Sequence, residues 1–478
     1  MVLFSDQPGD EGLPGQQRLL AMAAVMTTTT MAVFDGSIVN IALPRIAQSL
    51  NVSASDAVWV ANGYLLSAAM TLAIFAALAS RFGFRTLFIL GLIVFTLASL
   101  GCALSSSLDM LIGMRLLQGI GGAATLSIAP AVLRQSFPNR LLGRILGINA
   151  LLIATCTAVA PIFGGTLLTV LGWQWLFAIN IPLGAMAILL ALRAIPANRP
   201  QTKEPFDFAG ALLSAVALGA LVMAASSFSH TQSEDAMMAA AAYGATAVVA
   251  GWAFVWQQRR AVKPLLPLGM FASARFSLAA LTSLSSFVGQ GITFVALPFL
   301  FQSVYGYSAF GSALLFTPWP IGIILAAPYA GRLSDRYSPA LISTVGLGLF
   351  TLGLVLLAVL PDNPAYWDIG LRSLLCGIGF GCFQSPNNRE MLSNVSRENS
   401  GYASGVLAIM RTLGQCLGAA LVGVILSISM HSGGVFISNA LTEAQGVSTS
   451  LWVAVAATIF AFIISINRLR KARISESA

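Results

Sequence analysis

One acid and three arginines lie inside apolar stretches: Asp35 in MAVFDGSIVNIALP, Arg115 in IGMRLLQGIGG, Arg372 in IGLRSLLCGIG and Arg411 in IMRTLGQCLG. A carboxylate in hydrocarbon is expensive and is retained chiefly for proton or ion movement, so Asp35 is read as a proton-carrying group. At 1.5 Å per residue, Asp35 lies about 12 Å inward from the helix end near Leu43, and Arg115 lies about 9 Å inward from Asp109. The two can share one level. An arginine there favours the ionised carboxylate, whereas desolvation opposes it. The alternative for such a pair is a static ion bridge that only sets helix register. Arg411, about 15 Å from the end of its span, sits near the midplane without an acid in reach, and either helix carbonyls or an anionic substrate group would suit it. No nucleophile, metal-ligand cluster or paired acids accompany these residues, so an enzyme, a metal and a cofactor other than a proton gradient are not expected.

The elements that hold these residues must be membrane helices. Of 478 residues, 57% are hydrophobic and only 9% are charged, with a mean hydropathy of +0.83, far from an ordinary soluble domain. A crossing needs about 20 apolar residues. Fourteen stretches supply that: 18–43, 57–79, 86–105, 109–134, 143–168, 174–195, 208–228, 236–257, 276–302, 309–330, 340–360, 366–388, 401–428 and 448–467. The expected fold is an all-α polytopic membrane protein. The first 17 residues lack a basic n-region and cleavage site and are read as a disordered cytoplasmic tail, with 468–478 a basic cytoplasmic tail at the other end. Five cysteines inside apolar segments, without ligand spacing, predict buried free thiols.

With these spans, all but four of the 25 Lys and Arg residues fall on the side of the two termini; Arg45 lies opposite, and Arg115, Arg372 and Arg411 lie within spans. The positive-inside rule then places both termini in the cytoplasm of a multi-pass inner-membrane protein. The formal net charge of +8 therefore reflects topology, and nucleic-acid binding is not expected. His230 and His431 fall in outer loops, and Trp173 and Trp175 fit an outer interfacial belt.

An internal repeat organises the chain. RFGFR at Arg81 and DRYSP at Arg336 follow small-residue helix ends; the segments around Arg115 and Arg372 correspond, as do Gly143 and Gly147 with Gly401 and Gly405. Spans one to six and nine to fourteen form two six-helix bundles, residues 18–200 and 264–467, related by a pseudo-two-fold repeat, and 201–263 is a linker with two inserted transmembrane helices. Repeated halves with a site between them are the usual plan of a secondary transporter. The repeat carries Asp35 onto Gln290, so the C-terminal half has an amide where the N-terminal half has an acid, and a single proton site follows. Helical spacing gives stripes of Arg115, Gln118 and Gly122, of Phe287, Gln290 and Phe294, and of Phe380, Phe383 and Asn387. Aromatics with sparse polar groups suit a greasy substrate pocket; ordinary interhelical packing is the alternative.

Taken in order, DGSIVNIALP, RLLQGIGG from Arg115 to Gly122, APIFGG from Ala160 to Gly165, WQWLFAINIPLG from Trp173, FDFAG from Phe206, PLLPLGMF from Pro264 and RTLGQCLG from Arg411 resemble the major facilitator superfamily, specifically its fourteen-helix drug:proton antiporter branch. The resemblance implies that Arg81, Gly83 and Arg85, with Gly331, Asp335 and Arg336 in the second copy, belong to a conformational motif, as do Pro161, Gly164 and Gly165 of the antiporter motif. Two departures stand out. Ala76 and Ser80 replace the glycine and acid of the first loop motif, and Ala160 replaces the glycine of a Gly-Pro pair, leaving the Pro161 kink. The resemblance implies proton-coupled export of lipophilic or amphipathic compounds, as in multidrug efflux and antibiotic resistance. A monomer with a small-molecule substrate and the bilayer as its other partner is expected; a periplasmic adaptor is compatible with the sequence but nothing in it indicates one. One intramembrane acid against three arginines also suits a neutral or anionic metabolite; a receptor or scaffold would leave the repeat and Asp35 unexplained.

Overall fold

A computed structural model describes residues 12–195, 206–227, 234–334, 336–361, 363–395, 400–431 and 440–476. Fourteen long helices cross from side to side: α1 Gly15–Leu50, α2 Ala54–Phe82, α3 Phe84–Ala103, α4 Leu108–Ser136, α5 Asn139–Val170, α6 Gln174–Ala194, α7 Phe208–Ser226, α8 Glu234–Arg260, α9 Ala274–Phe299, α10 Ala309–Leu333, α11 Pro339–Ala358, α12 Tyr366–Ser393, α13 Ser400–His431 and α14 Ala440–Glu476. Helix α6 is interrupted at Ile179, α10 at Thr317, and α9 is prolonged by a π-turn, Leu300–Val304, just after Pro298. No strand occurs among the described residues. An even number of crossings puts both termini on one side, here the terminal side; the other is the far side.

Thirteen of these helices are long and apolar enough to span a bilayer. The exception is α12, whose Asp368, Arg372, Asn387 and Glu390 lower its hydropathy. It needs no apolar surface all round because it sits inside the second bundle, between α10 and α11. Glycines permit that position: a Cβ on Gly377 would lie 2.0 Å from the Trp319 carbonyl oxygen, and one on Gly379 2.3 Å from the Phe350 nitrogen. Without a hydrophobic drive between helices in lipid, such close backbone packing is what holds a bundle together.

Three sequence expectations need correction. The terminal tails are shorter than read: Leu13 donates its N–H to the Ser136 carbonyl, Arg18 is buried and donates to Leu13, and α14 runs through Arg468, which has no exposed surface. The hydropathy signal falls where charge begins, yet both arginines turn inward and find oxygen partners. Trp173 is buried rather than interfacial, tying α6 to the end of α1 through Nε1 and Ser49 Oγ at 3.1 Å, while Trp175 is half exposed. The cysteines are all free thiols; four are buried and Cys382 is partly so.

Where the two six-helix bundles meet decides what kind of space lies between them. On the far side one apolar cluster runs through both, joining Ile38–Ile46 of α1 and Leu168 of α5 to Phe299, Phe301, Ala309 and Ala313. Gln302 Nε2 donates to the Ile41 carbonyl at 2.8 Å, and Ser55 Oγ to the Gly423 carbonyl at 2.7 Å, both across the seam. Gly165 makes the contact possible, since a Cβ there would lie 2.9 Å from the Ala309 oxygen and from the Ala313 Cβ. Toward the termini two cores of the described residues are separate, one confined to residues 24–195 and the other to 270–406, while α2 and α13 keep contact through Leu72, Phe75, Ala408 and Ile409. The halves are thus sealed on the far side and less closely joined toward the termini. Of the inserted helices, α7 packs on α2 and α13 at the lateral seam, and α8 leans on α7 with most of its surface exposed.

Candidate proton-coupling and substrate site

Asp35 is at the centre of the N-terminal half, and its side chain has no exposed surface. Arg115, brought in by α4, donates through Nη1 to Asp35 Oδ2 at 2.5 Å and through Nε to the Val60 carbonyl at 2.9 Å. Gln118, one turn on, donates to Asp35 Oδ1 at 2.8 Å and to Ser99 Oγ at 2.9 Å, while its own carbonyl accepts from Arg115 at 2.7 Å. The guanidinium lies 4.6 Å from the Tyr64 ring and 5.6 Å from the Phe177 ring. Four helices, α1, α2, α3 and α4, thus close a buried, hydrogen-bonded cage around one carboxylate. Small residues let them approach: a Cβ on Gly119 would meet the Tyr64 carbonyl at 2.3 Å and one on Gly122 the Tyr64 hydroxyl at 2.7 Å.

Asp35 and Arg115, set at one level by depth counting, form an ion pair, and Gln118, placed on a candidate substrate stripe, is a direct partner of Asp35. Its second-half counterpart is not ionic. Gln290 is buried and accepts from Gln415 Nε2 at 3.1 Å; Arg372, the repeat mate of Arg115, turns to Asp368 on its own helix at 2.8 Å and to the Leu356 carbonyl. An acid–arginine–glutamine cage in one half faces a neutral amide pair in the other.

The aromatic stripes pack on one another. Phe287, Phe380 and Phe383 are buried in edge-to-face contact with one another and with Phe350, at centroid separations of 5.3–5.8 Å. Phe294, partly buried, packs edge-on to Phe316 and Trp319. Asn387 is fully buried, donating to Ser283 Oγ at 2.8 Å and accepting from Arg468 at 2.6 Å. In this state, therefore, these residues form the core of the second bundle.

Arg411 is the contrast. It is exposed, although ringed by protein at midplane depth. On α13, Gly414 and Gly418 face the α9 backbone, and Ala408 and Cys416 face α2, with Cys416 Sγ 3.0 Å from Asn62 Oδ1. Arg411 lies between those two faces and so looks into the space between the halves. Tyr64 links it to the acid cage, being near enough to feel the charges of Asp35, Arg115 and Arg411.

In the loop motifs, Arg85 donates to the Leu192 carbonyl of α6 at 2.8 Å, the Arg81 guanidinium lies 5.9 Å from the Phe82 ring, and Gly83 turns the chain at φ +89°, a conformation open to glycine. In the second copy Arg389 holds Ser334, which bonds the Gly331 carbonyl; the Arg336 N–H bonds the Leu333 carbonyl, and Asp335 lies outside the described residues. Pro161 and Gly164 sit in α5, where a Cβ on Gly164 would lie 2.6 Å from the Ile38 side chain.

Sequence reasoning missed a second buried acid. Glu390, near the terminal end of α12, lies 3.4 Å from Arg468, which also bonds Asn387, Ser343 and Ser465. Both residues stand just past the ends of their apolar runs, and only helical continuation into NREM and INRLR signals that they are inside. Arg468→Ala strands Glu390, and breaking a buried pair of this kind costs about 3–5 kcal/mol; a fall in the melting temperature of the detergent-solubilised protein, largely reversed in Glu390→Gln/Arg468→Met, is the expected result.

Residues 25–419 match the family model described as Major Facilitator Superfamily. The chain is 42% identical to an uncharacterised transporter, YebQ, of Escherichia coli, covering 87% of this chain and 91% of the relative. It is 31% identical to the tetracenomycin C resistance and export protein of Streptomyces glaucescens, over 89% and 78% of the two chains, and 27% identical to the riboflavin transporter RibZ of Clostridioides difficile, over 95% and 98%. This chain, with its two six-helix halves and two inserted helices, belongs to the major facilitator superfamily of transporters.

Proposed function

We propose that this transporter is a proton-coupled antiporter that exports lipophilic or amphipathic drug-like compounds across the bacterial inner membrane by alternating access, with both termini in the cytoplasm. The observation that carries the reading is the buried Asp35 cage: a single carboxylate with its charge balanced by Arg115 and shielded from solvent. Protonation removes the negative partner and leaves Arg115 an uncompensated charge, so the cage has two electrostatically distinct states. Asp35 is loaded from the outside, releases its proton to the inside, and its charge state biases which way the halves open. The far-side seal and the looser join toward the termini are the arrangement of a cytoplasm-facing state. Kinship with a tetracenomycin C exporter supports export of a hydrophobic compound, while kinship with a riboflavin transporter indicates that the family alone does not set the cargo. No metal or cofactor enters the scheme.

The purified protein, reconstituted into liposomes with an imposed pH gradient and offered labelled lipophilic compounds of each charge, tests this. Transport that runs against the proton flow and stops when nigericin dissipates the gradient is the expected result. Transport indifferent to the gradient would overturn the proton-coupled reading.

A further inference from the structure

The charges that face the space between the halves identify the cargo more closely than the family does, and this inference rests on the export reading above. Among the described residues one acid, Asp35, stands well inside a bundle and another, Glu390, is buried near the terminal end of α12, and they face arginines, Arg115 and Arg468. The remaining described acids sit near helix ends; Asp56, Asp109 and Asp368, for instance, lie in first turns on the far side. Arg411, by contrast, is exposed to that space and makes no hydrogen bond or ion pair with any described residue. One turn along the same face stands Gln415, partly exposed, with its amide turned to Gln290. The midplane of the translocation space therefore presents one uncompensated cation backed by a neutral amide pair.

A charged group at that depth is expensive and is kept where it meets an ion or a substrate. Guanidinium is the side chain best fitted to a planar carboxylate, phenolate or sulfonate, through paired parallel N–H donors. A cationic cargo would meet no accessible carboxylate among the described residues there and would be repelled by Arg411. We infer that the cargo is an amphipathic organic anion whose acidic group docks on Arg411. Tyr64 stacks on Arg115 and is near enough to Arg411 to feel its charge, so neutralising Arg411 alters the field at Asp35 without direct contact. Exchange of one such anion for one entering proton carries two charges in the same electrical direction, and an inside-negative potential then drives export along with the pH gradient.

The test uses one fluorescent dansyl scaffold carrying a short alkyl tail that ends in a carboxylate, a carboxamide or a trimethylammonium. Binding is measured on the full-length protein in detergent, where no gradient acts. The carboxylate is expected to bind at least tenfold more tightly than the ammonium. Arg411→Gln should weaken the carboxylate roughly tenfold to a hundredfold, the worth of a charge-assisted hydrogen-bonded contact, and leave the carboxamide within a factor of about three; Arg411→Lys should recover part of the loss. Equal binding of all three probes, preference for the ammonium, binding of none, or a carboxylate affinity unmoved by Arg411→Gln would overturn the inference. Circular dichroism and melting temperature of each variant separate loss of binding from loss of fold. The two proposals fail separately: Arg411-dependent carboxylate binding without gradient-driven transport sinks antiport alone, whereas gradient-driven transport blind to probe charge sinks the anion inference alone.

Discussion

Asp35→Asn is expected to abolish gradient-driven accumulation while leaving substrate-for-substrate counterflow in place. With one proton exchanged per cargo molecule and no membrane potential, each pH unit of gradient supports about a tenfold accumulation, because a tenfold concentration ratio costs about 1.4 kcal/mol. An asparagine holds no proton, so the accumulated ratio falls to one. The variant also loses stability. An amide there can accept from Arg115 or from Gln118 but not both, and the buried guanidinium, still bonded to the Val60 carbonyl and Gln118, loses its counter-charge, a loss of about 3–5 kcal/mol. Asp35→Asn/Arg115→Met removes the stranded charge, so thermal stability should return while proton-driven accumulation does not. Recovery of transport in that double variant would reduce the cage to a register device.

The second large effect concerns the far-side seal. At Gly165 a new Cβ meets the Ala309 carbonyl oxygen at 2.9 Å, the Ala313 Cβ at 2.9 Å and the Phe310 Cα at 3.0 Å. None of these can swing aside, since two are backbone and one is a Cβ. Overpacking of this kind costs about 1–3 kcal/mol, paid here only in the state whose far side is closed. A bias of that size shifts a two-state population by roughly fivefold to 150-fold. Gly165→Leu should therefore hold the protein open on the far side, separate cysteines introduced at Ile41 and Gln302 beyond cross-linking distance, and cut transport in proportion. Gly164→Leu is the control. Its Cβ meets Ile38 within the same half, so it should lower stability without driving the halves apart. Equal cross-linking in wild type and Gly165→Leu would show that α5 does not set the seal.

Most of the architecture was legible in the residues because a bilayer imposes a strict length and polarity on every crossing. Each of the fourteen stretches became a helix, and the repeat correctly separated the inserted pair α7 and α8 from the two bundles. Depth counting placed Asp35 and Arg115 at one level, and they touch. Hydropathy failed where polarity turns inward. Arg18, Glu390 and Arg468 ended their segments in the sequence, yet each is buried with an oxygen or charge partner supplied by another part of the fold. Helical spacing puts Phe287 on a stripe of α9 and Phe380 and Phe383 on a stripe of α12, but spacing alone does not distinguish a face turned to a cavity from one packed in the bundle core, where these rings meet one another and Phe350. The repeat likewise predicted positions and not partners, since Gln290 inherits the place of Asp35 while Arg372 turns toward Asp368.

The central claim is that the proton exchanged for cargo resides on Asp35. Inside-out vesicles carrying the protein, acidified in the lumen and monitored with a pH-sensitive dye, measure it directly when a transported compound is added outside. Wild type should collapse the gradient on addition, and Asp35→Asn/Arg115→Met, folded and present at equal amount, should leave it intact. Collapse of equal size in both would place the coupling proton elsewhere and contradict the account.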